Sequence, residues 1–202
     1  AQNQKGYLNL LKLVSNTFLE GADSHKPTIF FEDLKQNAEG LICLTGGANG
    51  ILDTLIKNKQ ASAAQKVVDA FSQVFPERLY IEINRINQES AEIIEPILLN
   101  LAKQNNLPIV ATNNVLFPEE NMHEAQEILM GIADGTVVAD PSRRLSSPQQ
   151  YFKSQQEMEE LFSDLPEALE NTINIAKRCS FIPRNHAPML PKFPTEGGRT
   201  DE

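Results

Sequence analysis

LYIEINR at 79–85, followed by an apolar-periodic stretch from Gln88 to Gln104 and then by PIVAT at 108–112, decides the fold. The first segment is rich in strand formers, and the last is a short apolar run of the kind that a strand covered on both faces presents. Between them, Ile93, Ile94, Ile97, Leu98 and Leu101 recur at helical spacing. Two strands joined by a connection of that length pair in parallel, because an antiparallel pair needs only a tight turn. The predicted class is therefore α/β with a parallel sheet.

Upstream, the same order occurs once more. LICLT at 41–45 reads as a buried strand ending at Gly46 and Gly47, and the pattern from Asn49 to Phe75 reads as one helix closed by Pro76. FEDLKQNAEG at 31–40 predicts a short helix before that strand. At the start of the chain, GYLNLLKLVSNTFLEG places Leu8, Leu11, Val14 and Phe18 on one side of a helix, with Gly21 as its stop. Downstream, EENMHEAQEILMGIADG is helical up to Gly135, and TVVADPSRRLSSPQQ at 136–150 has no sustained period and reads as an ordered excursion. Two helices follow, over QQEMEELF and PEALENTINIAKRC, the second with Pro166 at its start and Asp164 as a candidate cap. The residues alone leave open a doubly wound sheet or part of a barrel. RNHAPMLPKFPTEGGRTDE at 184–202 has the proline and glycine content of a linker.

The 202 residues, 41% of them hydrophobic, suffice for one sizeable core. No apolar run approaches the length of a membrane span, and the polar start lacks the pattern of a signal peptide. Cys43 and Cys179 lie far apart, which argues for reduced thiols in a cytoplasmic protein rather than a disulfide framework. A net charge of -9 disfavours a broad contact with phosphate backbones.

Few residues invite chemistry. LTGGANG at 44–50 lacks the first glycine of a dinucleotide fingerprint, and its glycines read as a tight strand-to-helix turn. HEAQE at 123–127 has Glu127 where a helical zinc pair needs a second histidine, and it reads together with Glu119, Glu120 and Glu124 as a solvated acidic face. His25 and His186 have no Cys or His nearby. Glu82 stands out as a carboxylate within a buried strand, where it needs a partner; Arg85 or Lys103 is the expected one, in a structural role. Arg143 and Arg144 form a small basic spot suited to a salt bridge or domain contact, while Ser146, Ser147 and the cysteines sit in no nucleophile motif.

Taken in order, GYLNLLKLVS, AEGLICLTGG, FPERLYIEINR, LPIVATNNVLF, DGTVVADP, SPQQYFKSQQEMEELFSDLPEALENTINIAKRC and LPKFPT resemble the PHP region of bacterial replicative DNA polymerase III alpha subunits over nearly the whole chain. The resemblance implies an incomplete parallel (β/α) barrel at 1–183, with an excursion at 134–150 and C-terminal helices, then a linker at 184–202 toward a polymerase palm. It implies that an N-terminal third bearing an H-x-H motif, and the palm with its catalytic aspartates and magnesium, lie outside this piece. As aligned, metal-holding PHP proteins place ligands where this sequence has Gly47, Ile86, Asn114 and Leu116. Glycine, isoleucine and leucine cannot ligate through their side chains, and a neutral asparagine substitutes weakly for a carboxylate. The expectation is a dismantled metal site filled by packing, with no catalytic residue, no cofactor and no metal in this piece. The implied role is a scaffold in a multisubunit replicase, in contact with the rest of the polymerase chain and docking the proofreading exonuclease subunit. DNA would be touched mainly by other domains. Two alternatives remain: a metal-dependent phosphoesterase or intrinsic proofreader, with Glu82 and His123 assisting ligands in the N-terminal third, and a nucleotide-binding protein built on LTGGANG.

Overall fold

A computed structural model describes residues 1–19, 27–87, 90–137, 139–185 and 187. Gly21, His25, His186 and most of the expected linker lie outside the described residues. Among those described, the strands β1 (Cys43–Leu44), β2 (Leu79–Asn84) and β3 (Ile109–Thr112) form one parallel sheet in the order β1-β2-β3, and it does not close into a barrel. The helices α1 (Gln4–Leu19), α2 (Phe31–Gln36), α3 (Ile51–Lys57), α4 (Ala61–Val74), α5 (Glu95–Gln104), α6 (His123–Asp134), α7 (Gln155–Leu161) and α8 (Pro166–Arg178) accompany it. The predicted parallel α/β class is the observed one.

The main core joins Ile81 and Ile83 of β2 to Leu52, Ile56, Ala64 and Val68 of α3 and α4, Leu98 and Leu101 of α5, and Phe162 and Ala168 near the C-terminal helices. Burying each of the Leu, Ile, Val and Phe side chains is worth roughly 1.5–3 kcal/mol. Helix α8 packs along β3, and its Asn171 donates to the Ile109 carbonyl at 2.9 Å. Since the Ile81 amide donates to the Pro108 carbonyl, alternation turns the Ile109 carbonyl away from β2. Asn171 therefore caps the free edge of β3.

Several local expectations are corrected. Strand β1 is two residues long, half-buried at Cys43 and exposed at Leu44, so it is an edge strand rather than a buried one. The single helix expected over 49–75 is a 3₁₀ turn at Gly47–Asn49 followed by α3 and α4. The break falls at Lys59, which adopts a left-handed φ of 58°. Its amide donates to Ile56 and that of Gln60 to Leu55, which closes α3 with a Schellman motif. Periodicity alone could not reveal it, because lysine is not the usual residue for that conformation. Within the stretch expected as one helix over 88–104, Ser90–Ile94 is π-helical before α5 begins at Glu95 with Pro96 in its first turn.

Helix α1 forms as expected but turns the opposite side inward. Gly6, Asn9 and Leu13 are buried, while Leu8, Leu11, Val14 and Phe18 are exposed. The cause is a close backbone approach: a Cβ on Gly6 would stand 2.0 Å from the Gly40 carbonyl oxygen, and Asn9 donates to the Glu39 carbonyl at 2.9 Å. Asp164 is not a helix cap either. Leu165 occupies the cap position of α8 without a side-chain bond, whereas Ser154 and Glu157 build a full capping box at α7.

Candidate functional site

In an open parallel sheet the carboxyl ends of the strands are where ligands are ordinarily held. Here that end is formed by Thr45, Gly46 and Gly47 after β1, Glu82 and Asn84 of β2, and Thr112 closing β3. Glu82 is its centre. One carboxylate oxygen accepts the Gly46 amide at 3.0 Å, and the other accepts the Thr112 hydroxyl at 2.7 Å. The Glu82 amide in turn donates to the Thr45 hydroxyl oxygen at 2.9 Å. Gly47 has a φ of 52°, and a Cβ there would stand 3.1 Å from the same carboxylate. The loop amide that could have faced a phosphate is thus committed to a side chain of the protein.

The expected partner of Glu82 is wrong. Arg85 follows the end of β2 and is directed to other partners. It grips Glu95 (2.8 Å), Asp164 (2.7 and 2.8 Å) and the Leu161 carbonyl, with its guanidinium 4.7 Å from the centre of the Phe162 ring. Lys103 is exposed on α5 and makes no bond to Glu82.

Two further groups feel Glu82. Asp53, buried in the first turn of α3, has its carboxyl pushed up to about 6, chiefly by burial and further by the negative charge of Glu82, against the pull of Lys57. Burial, with Glu82 adding to it, also raises the Cys43 thiol to about 11, which keeps it protonated and unreactive at neutral pH. Sequence reading missed Asp53. Its place between the core residues Leu52 and Ile56 was the available signal.

The second constellation joins α6 to the excursion. Glu127 is buried, ion-paired with Arg143, and accepts both the amide and the hydroxyl of Ser146 at 2.7 and 2.6 Å. Burial works to raise its pKa, but the bonds from Ser146 and the Arg143 guanidinium outweigh it and hold the carboxyl near 2. The solvated acidic face predicted for this helix therefore fails at Glu127. Arg143 and Arg144 do make salt bridges, the latter to Asp134 at 3.1 Å. His123 lies 3.2 Å from the Ser146 carbonyl oxygen and 3.8 Å from Glu127, a contact with the backbone of the excursion rather than with a nucleophile.

At three of the expected ligand positions the backbone fastens the excursion. The Ile86 carbonyl accepts the Ser147 hydroxyl, the Asn114 carbonyl accepts the Gln150 side-chain amide at 3.1 Å, and the Leu116 amide donates to the Gln150 carbonyl at 2.8 Å. Asn113 adds bonds to the carbonyls of Gln149 (3.2 Å) and Tyr151 (2.7 Å). Packing does not fill this region uniformly: Ile86 is buried, but Asn114 and Leu116 are exposed, Leu116 by 44%. A metal does not fit these positions. Their side chains offer at most one neutral donor, the nearby Glu82 oxygens are already bonded, and among the described residues no three His, Cys, Asp or Glu side chains come together to hold an ion.

The family model described as "PHP domain" matches residues 1–86. DNA polymerase III subunit alpha of Caulobacter vibrioides is 38% identical over 201 residues, covering 100% of this chain and 18% of that protein. The subunit of Pseudomonas aeruginosa is 41% identical over 199 residues, 98% of this chain and 17% of the relative, and that of Escherichia coli 38% over 203 residues, 100% and 18%. This chain thus spans less than a fifth of the length of these curated relatives. Over nearly its whole length it matches, at moderate identity, the PHP domain region of bacterial DNA polymerase III alpha subunits.

Proposed function

We propose, from that match, that the chain serves as a non-catalytic scaffold within a replicative DNA polymerase, a nucleotidyltransferase whose magnesium-dependent chemistry resides in other domains. The carrying observation is what stands at the expected ligand positions. Gly47 abuts a Glu82 carboxylate bonded to Gly46 and Thr112, and the backbone of Ile86, Asn114 and Leu116 holds the excursion. A site with no metal-bound hydroxide has no nucleophile for PHP-type hydrolysis. The excursion, latched through Glu127 and the 113–117 loop, gives the domain a fixed outer surface, as a docking platform for the proofreading exonuclease subunit and the replicase assembly requires. No described helix is long and apolar enough to cross a membrane, in keeping with work in the cytoplasm.

The test uses the full polymerase chain. After incubation with zinc or manganese and desalting, elemental analysis should find no stoichiometric metal bound through this region, and p-nitrophenyl phosphate should not be hydrolysed. The exonuclease subunit should co-elute with the chain. Bound metal, together with a phosphatase or exonuclease activity abolished by Glu82→Gln, would establish the phosphoesterase reading instead. Two acids near the strand ends, Asp53 and Glu82, are the observation that keeps that second reading worth testing.

A further inference from the structure

We draw no further inference here: the strongest candidate, the exposed apolar stripe that Leu8, Leu11, Val14 and Phe18 form along α1, is an unpartnered helix face, and nothing in the structure shows what covers it.

Discussion

The carboxylate of Glu127 takes both the amide and the hydroxyl of Ser146, at 2.7 and 2.6 Å, so one α6 side chain holds both donors of a residue in a segment whose described residues form no helix or strand. With Arg143 on its other oxygen, it closes the excursion against the domain. Charge-assisted bonds of this kind are about twice as strong as neutral ones. Replacing Glu127 by Ala should therefore cost about 3 kcal/mol, because it removes the ion pair with Arg143 together with both bonds from Ser146. Urea denaturation gives the magnitude. Limited proteolysis should show new cleavage between residues 136 and 150, and unchanged digestion there would refute the latch.

Arg85 organises the opposite side of β2 through Glu95, Asp164 and Phe162, and its partners differ in worth. The Glu95 side chain is 8% exposed and that of Asp164 63%. Solvent screening limits an exposed pair to under about 1 kcal/mol, so Asp164→Asn should be mild. Arg85→Lys should cost about 2 kcal/mol or more, since an ammonium cannot reproduce the fork to Glu95 or the stacking on Phe162. Thermal denaturation of the two variants checks the order, and equal losses would contradict it.

What could be read in the sequence and what could not divide along physical lines. The alternation of apolar strands and periodic helices gave β2, β3, α5, α6 and the parallel pairing, because those features depend on local spacing. The face of α1 was misread because hydrophobicity ranks Leu8 and Leu11 above Gly6, whereas a close approach to Gly40 selects the residue with no side chain. Arg85 or Lys103 is the expected partner of Glu82, but Arg85 follows the end of β2 and is taken by Glu95 and Asp164, contacts that local spacing does not encode. Asp164 and Glu127 were misjudged for a shared reason: their partners, Arg85 and Ser146, are distant in sequence, and no periodicity encodes such contacts. Resemblance supplied the ligand positions, but only the fold shows that the backbone there fastens the excursion.

Two buried carboxyls should tilt the pH dependence of stability in opposite directions. Asp53 is raised from 3.8 to about 6 in the folded chain, so from pH 4 to 6 the folded state holds a proton that the unfolded state has lost. Stability from this group is full below pH 4 and falls as pH rises to 6. Glu127 is lowered from 4.5 to about 2, so its contribution is present above pH 4.5 and is lost as pH falls toward 2. The Asp53→Asn variant should flatten the decline between pH 4 and 6 and gain about 1 kcal/mol at pH 7, after allowance for screening by solvent. Urea midpoints measured across pH 3–8 test this. A wild-type curve that rises between pH 4 and 6, unaltered by the substitution, would contradict the assignment.

Gly47 and Glu82 offer the most direct test of how the strand ends are held. A methyl group on Gly47 meets two obstacles, the left-handed φ of 52° and a carboxylate oxygen 3.1 Å away. The first costs about 1 kcal/mol, and the second adds to it unless Glu82 gives way. Glu82→Gln keeps the volume but puts an NH₂ group where one of two donors is now accepted. The Thr112 hydroxyl can rotate and accept instead, whereas the Gly46 amide cannot change its role. The amide should therefore settle with its oxygen toward Gly46, for a loss of about 1 kcal/mol, the difference between a charge-assisted and a neutral bond. In the Thr112→Val background the bond that favours the carboxylate over the amide is already lost, so Glu82→Gln should cost less there than in the wild type. A double-mutant cycle read by urea unfolding measures the coupling, and strict additivity would show that Thr112 does not hold this carboxylate.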